Sequence, residues 1–145
     1  MEIIQAMEES CLLLSALAAE LWPEHTQAEL KKEFADLIGK EDAAVWIAFE
    51  KEAPAGFCQC QLRRDYVEGT RSASVGYLEG IYVRPAYRRR GIAGALVKEG
   101  QKWAKEQGCA EFASDCALNN TESLGFHLAC GFQEVNRIIC FVKEL

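Results

Sequence analysis

Residues 76–100 read GYLEGIYVRPAYRRRGIAGALVKEG, and this stretch decides the fold. GYLEGIYV has the composition of a strand and stops before Pro85, which cannot donate to a sheet ladder. From Gly91 to Gln107 the residues Ile92, Ala93, Leu96, Val97, Gly100, Trp103 and Ala104 share one face of a 3.6-residue period, and Gly108 ends it. A short strand at about Ala110–Ser114 follows. A strand, a helix and a strand in this order require a parallel pair joined by a right-handed crossover.

Working outward, Glu8–Leu21 has helical apolar spacing and stops at Trp22-Pro23, because the residue before a proline is pushed out of the α region. Thr26 and Glu29 form a capping box for a second helix carrying Leu30, Phe34, Leu37 and Ile38, with Gly39 as its stop. Strands are expected at Ala43–Phe49 and about Ala55–Tyr66, joined as a hairpin by a turn around Glu52–Pro54. After the crossover a loop through Leu118–Asn120 leads to a helix that Thr121 can cap, ending before Gly131, and then to strands at Phe132–Val135 and Arg137–Val142. The order α-α-β-β-β-α-β-α-β-β gives an α/β (α+β mixed) class: a central mixed, mostly antiparallel sheet with a parallel strand-helix-strand core and helices on both faces. Residues 1–145 read as a single domain.

Composition narrows the function. Half of the 145 residues are apolar and 26% are charged, so the chain is globular. No apolar run reaches the roughly 20 residues that span a bilayer, and MEIIQAMEESCLLL lacks the flanks of an export signal, so a cytoplasmic protein without a membrane partner is expected. The seven cysteines contain no CxxC pair and have only two histidines for company. Buried reduced thiols fit this pattern better than a zinc site or a disulfide framework, and no metal is expected. The formal charge of −6 argues against nucleic acid. It favours a cationic ligand or simply serves solubility.

Against that acidity stand four arginines between Arg84 and Arg90, with no acid among them. They lie where a strand meets a helix N-terminus, whose free amides and positive dipole end favour an anion. At about 4 Å and an effective dielectric of roughly 20, one guanidinium contact has a Coulomb energy near 4 kcal/mol before desolvation. A polyphosphate fits such a loop, and a solvated arginine cluster is the plain alternative. Neither a GxxxxGK[ST] loop nor a three-glycine dinucleotide fingerprint is present.

Arg88-Arg89-Arg90-Gly91-Ile92-Ala93 resembles the R/Q-x-x-G-x-G/A signature of the GCN5-related N-acetyltransferases (GNAT), and the flanking strand, the helix and the later HLACGF segment fall where that family places them. The resemblance covers essentially the whole chain. It implies acetyl-CoA as cosubstrate: backbone groups of Ile81, Tyr82 and Val83 meet the pantetheine arm and thioester, Arg89, Arg90, Gly91, Ile92, Ala93 and Gly94 hold the pyrophosphate, and Asn120 contacts the coenzyme. Val83 N–H is then the donor for charge developing on the thioester carbonyl, and Gly80 permits a bulge that splays the strand.

Trp22-Pro23, RRDYVEGT (63–70), VGYLEGIYV (75–83) and EFASD (111–115) more narrowly resemble the aminoglycoside 6'-N-acetyltransferases, bacterial enzymes that acetylate a polycationic antibiotic. That resemblance implies a pocket of Trp22, Tyr66, Glu79, Asp115 and Asn136, and a homodimer. The residue types suit the task, since ammonium groups call for carboxylates and sugar rings for aromatic faces. Asp115 is expected to take the proton of the reactive ammonium, with Glu79 positioning it. Plainer readings exist: Trp22 as a helix stop, Tyr66 as a solvated strand end, Glu79 as a surface strand residue. Two positions depart from the pattern. His127 stands where many GNAT enzymes have a tyrosine acid, and Asn136 where related enzymes have an acid. A polyamine, amino acid or protein N-terminus as acceptor, or a non-catalytic acyl-CoA-binding module, are the alternatives.

Overall fold

The computed structural model describes residues 1–145. Its elements are β1 (Glu2–Gln5), α1 (Cys11–Leu21), α2 (Gln27–Ile38), β2 (Ala43–Glu50), β3 (Ala53–Arg63), β4 (Val75–Val83), α3 (Ile92–Glu106), β5 (Phe112–Ser114) and α4 (Thr121–Ala129). The sheet order is β1-β2-β3-β4-β5; the first three pairings are antiparallel and β4-β5 is parallel across the α3 crossover. The mixed α/β architecture and its parallel core are as expected.

β2 divides the core because its side chains alternate. Val45 and Ile47 join Leu14, Leu17, Leu30, Phe34 and Phe57 under α1 and α2. Ala44, Trp46 and Ala48 face the opposite layer with Cys58, Cys60, Leu96 and Trp103 under α3. Burying each large apolar side chain contributes about 1.5–3 kcal/mol, so both layers hold the sheet. The α3 layer needs close approach: a Cβ at Gly100 would lie 2.7 Å from Cys60 Sγ.

Helix limits follow local chemistry. Thr26 Oγ1 accepts from Glu29 N–H at 3.1 Å, a cap typically worth about 1 kcal/mol. The Glu29 carboxylate turns to His25 Nδ1 at 3.4 Å, so only half of the expected box is closed. At α4 the cap is Asn120, one residue before the expected Thr121.

Four differences from the sequence reading stand out. The edge strand β1 was not expected. Helix α1 begins only at Cys11, after a 3-10 turn over Glu8–Ser10. β3 ends at Arg63, which leaves Tyr66 in a loop. Residues 132–145 form neither of the two expected strands. Their alternation is real, but a strand exists only with a partner ladder, and no element of the chain supplies one. The thiols differ too: Cys11, Cys58, Cys60 and Cys109 are buried, whereas Cys116 and Cys140 are exposed.

Candidate active site

The site is set by a single bulge. Gln59 pairs with Gly80 and Cys60 with Leu78, leaving Glu79 as an extra residue in β4. The bulge anticipated at Gly80 thus falls one residue earlier. The parallel pairing runs from Gly76 opposite Phe112 to Leu78 opposite Ser114, where β5 ends, so from Glu79 onward this edge of β4 has no strand beside it and leaves a gap in the sheet. Arg84 N–H donates across to Ala55 O on β3, so strand alternation turns the N–H groups of Ile81 and Val83 towards the gap. Val83 O faces the same side and accepts from Arg88 Nε at 2.8 Å. Tyr82 instead sends its hydroxyl to Glu20 at 2.9 Å.

Past the gap the chain enters α3. Arg89 and Gly91 adopt left-handed φ values of 61° and 80°, and Gly91 is the N-cap. That pair turns the loop so that the first amides of α3, from Ile92 through Ala93 and Gly94, are free of helix partners. Nothing lies within 4 Å of where a Cβ would stand at Gly91 or Gly94, which leaves room for a bulky anion. The residues therefore fit a pyrophosphate. Arg89 and Arg90 are exposed, and Arg90 lies 5.7 Å from the Tyr87 ring centroid. Asn120 Oδ1 is used in capping Ser123 N–H at 3.0 Å, which leaves its amide donors free.

On the acceptor side, Arg63 Nε and Nη2 donate to Glu79 Oε1 and Oε2, both at 2.7 Å. The bidentate pair raises the arginine further above its usual range. Arg63 also lies over Tyr77, its Cζ 3.5 Å from the ring centroid. The Tyr77 hydroxyl donates to the exposed carboxylate of Asp115, immediately after β5. Glu79 and Asp115 are thereby joined in one network through two residues that the sequence reading had not singled out. Trp22, at the C-terminus of α1, packs its ring edge-on to Phe57 with centroids 6.0 Å apart and covers Gly80.

The remaining predicted residues form a second group. Tyr66 is 82% exposed and donates to Glu68 at 2.9 Å, and Asn136 Nδ2 donates to the same carboxylate. Those bonds, Asn136 first, hold the Glu68 carboxyl below its usual range. No hydrogen bond links this group to Glu79 or Asp115, so the structure does not unite all five acceptor residues. Glu68 supplies a charge beside Asn136, the position at which the sequence lacks one.

His127 is occupied on both sides. Nδ1 lies 2.7 Å from Ser123 O, which only accepts, so in the neutral ring Nδ1 carries the hydrogen, while Nε2 lies 2.8 Å from Ser114 Oγ, a hydroxyl shared with Leu78 O at 3.2 Å. It is a satisfied helix histidine.

The short parallel pair, the open edge of β4 beyond it and the arginine-rich helix start suit an acyl-CoA-dependent transferase, and the chain belongs to the Acetyltransferase (GNAT) family, whose model matches residues 12–132. Its relatives are narrower. An aminoglycoside N(6')-acetyltransferase type 1 of Acinetobacter haemolyticus is 37% identical over 145 residues, covering 100% of this chain and 99% of that protein. The type 1 enzyme of Klebsiella aerogenes is 44% identical over 134 residues, 90% of this chain and 88% of the relative. An aminoglycoside N-acetyltransferase solved with the bisubstrate analogue CoA-S-monomethyl-acetylneamine superposes with a TM-score of 0.95 at 34% identity, covering 99% of this chain and 98% of that one.

Proposed function

We propose that this chain transfers the acetyl group of acetyl-CoA to the 6'-amino group of an aminoglycoside, an activity that confers antibiotic resistance. The carrying observation is the pair of carboxylates, Glu79 at the bulge and Asp115 at the end of β5, held in one network beside the strand gap. The full-length relatives named above support the same acceptor class.

The cosubstrate supplies a thioester. Its phosphates meet Arg89, Arg90, Gly91, Ile92, Ala93 and Gly94 at the start of α3, its pantetheine arm runs along Ile81, Tyr82 and Val83, and the amide of Asn120 contacts it from the far side. Trp22 and Tyr66 offer faces to the sugar rings, while Glu79, Asp115 and Asn136 take hydroxyl and ammonium groups. Asp115 accepts the proton of the reactive ammonium directly or through one water. The freed nitrogen attacks the acetyl carbonyl, and Val83 N–H receives the charge that develops on the oxygen. The C–N bond forms and the C–S bond breaks, and the second proton of the attacking nitrogen passes to the departing thiolate, directly or through water, so that His127 supplies none.

Residues 1–145 act as one acetyltransferase domain, working in the cytoplasm. No helix is long and apolar enough to cross a membrane. A homodimer is supported by the tail: Ile138, Ile139, Phe141 and Val142 are exposed, and β5 leaves an open sheet edge.

The test is thiol release from acetyl-CoA with kanamycin-type aminoglycosides, spermidine and peptides as acceptors. Turnover confined to the aminoglycosides is expected. Turnover only on spermidine or peptides overturns the acceptor, and binding of acetyl-CoA without turnover overturns the enzyme.

A further inference from the structure

One side chain reaches both carboxylates of the acceptor site. The ring of Tyr77, only 6% exposed, carries Arg63 on its face at 3.5 Å, and that guanidinium is the group bound to Glu79. The hydroxyl on the same ring donates to Asp115, and this is the only side-chain hydrogen bond that Asp115 makes. Arg63 reaches the ring because Gln61 sits opposite Tyr77 in the β3-β4 ladder, which makes Arg63 a diagonal neighbour.

The chemistry of the site gives this arrangement a purpose. Asp115 is exposed and follows a strand of three residues, so nothing in its own backbone fixes its rotamer. A carboxylate that must collect a proton from a bound ammonium works only when it is aimed at it. Burial and the neighbouring Asp115 charge push the Tyr77 hydroxyl well up, so it remains a donor wherever the carboxylate is ionised. Glu79 has the opposite need. Left bare it would hold a polycation in many poses, and Arg63 neutralises part of its charge in a fixed geometry.

We propose that Tyr77 is the positioning residue of the acceptor site: its hydroxyl aims Asp115, and its ring, through Arg63, fixes Glu79, so that the two carboxylates act at a set spacing. This rests on the acetyl-acceptor reading given above.

Tyr77→Phe keeps the ring and the Arg63 stack and removes only the hydroxyl, whereas Tyr77→Leu removes both. In steady-state assays on a kanamycin-type aminoglycoside, Tyr77→Phe is expected to lower kcat about tenfold, the scale of one lost hydrogen bond to a charged group, with both KM values unchanged. Tyr77→Leu is expected also to raise KM for the aminoglycoside. A purely structural tyrosine would instead lower Tm and leave kcat per folded molecule alone. Wild-type kcat in Tyr77→Phe overturns the proposal. If the unmodified protein acetylates no aminoglycoside, the acceptor reading fails separately. The crystal structure of Tyr77→Phe then decides: an Asp115 side chain that has left its place supports the role, and one that has not moved overturns it.

Discussion

The Trp22 ring lies directly against Gly80, so that a Cβ built there would stand 2.8 Å from Trp22 Cη2 and 2.9 Å from Cζ2. Helix α1 thus delivers an aromatic plate to the residue that follows the Glu79 bulge. Gly80→Ala is expected to push the ring aside, with an overpacking cost of about 1–3 kcal/mol. Thermal unfolding reads the cost, and steady-state kinetics read the consequence: a higher KM for the aminoglycoside and an unchanged KM for acetyl-CoA.

Gly91 makes the complementary prediction for the coenzyme. Its φ of 80° costs an L-residue roughly 1 kcal/mol, yet nothing crowds the position. Gly91→Ala is expected to lose little stability and to raise KM for acetyl-CoA several-fold, since the added methyl group enters the open space proposed to take phosphate. Titration with CoA measures it directly.

Asp115→Asn keeps a side chain able to accept from Tyr77 and removes the base. With general-base catalysis worth about 10²–10⁴, kcat is expected to fall by at least about 10² while KM for acetyl-CoA holds. Unchanged kcat would remove Asp115 from proton transfer.

Acid stability depends in part on Glu20. Arg84, with Tyr82 assisting, holds its carboxyl below the usual range, against the opposing effect of partial burial. A depressed folded value means that the contribution is complete above the unfolded pKa of about 4.3 and is lost as pH falls through the folded one. Glu20→Gln is therefore expected to lower Tm at neutral pH, and the difference from wild type is expected to vanish in strongly acidic buffer. A constant difference at every pH would show that the effect is steric.

Thiol chemistry tests the tail. Cys116 and Cys140 are exposed, whereas Cys58 is fully buried and burial pushes its thiol well up. A disulfide reagent is expected to reach Cys116 first and the four core thiols only on unfolding. In the proposed homodimer a second copy covers residues 132–145, so Cys140 is expected to be protected at high protein concentration and released on dilution.

Most of the fold could be read from the chain because its central elements carry strong periods between firm stops. Pro23, Gly39, Pro85, Gly108 and Gly131 punctuate the sequence near the observed boundaries. β1 escaped because four residues, EIIQ, are too few to carry a period. Phe132–Val142 has a strand pattern but no partner ladder within the chain, and a pattern cannot reveal that. Of the candidate site, Glu79, Asp115 and Gly91 could be named from the chain one by one, because each stands out within its own segment. Arg63 and Tyr77 were not, although both stood in the segments that carried the resemblance, because their meeting depends on cross-strand register. Only the pairing of Gln61 with Tyr77 could have signalled it.

The bulge at Glu79 also acts as a parity switch in β4. Were Glu79 paired in the ladder instead of bulged out of it, the alternation beyond it would invert, and Gly80 and Tyr82 rather than Ile81 and Val83 would turn their amides into the gap. In the proposed site, the same residue that presents an acid to the amine also decides which amides meet the thioester. Evolution cannot shift one half of this site along β4 by a single residue without reversing the other.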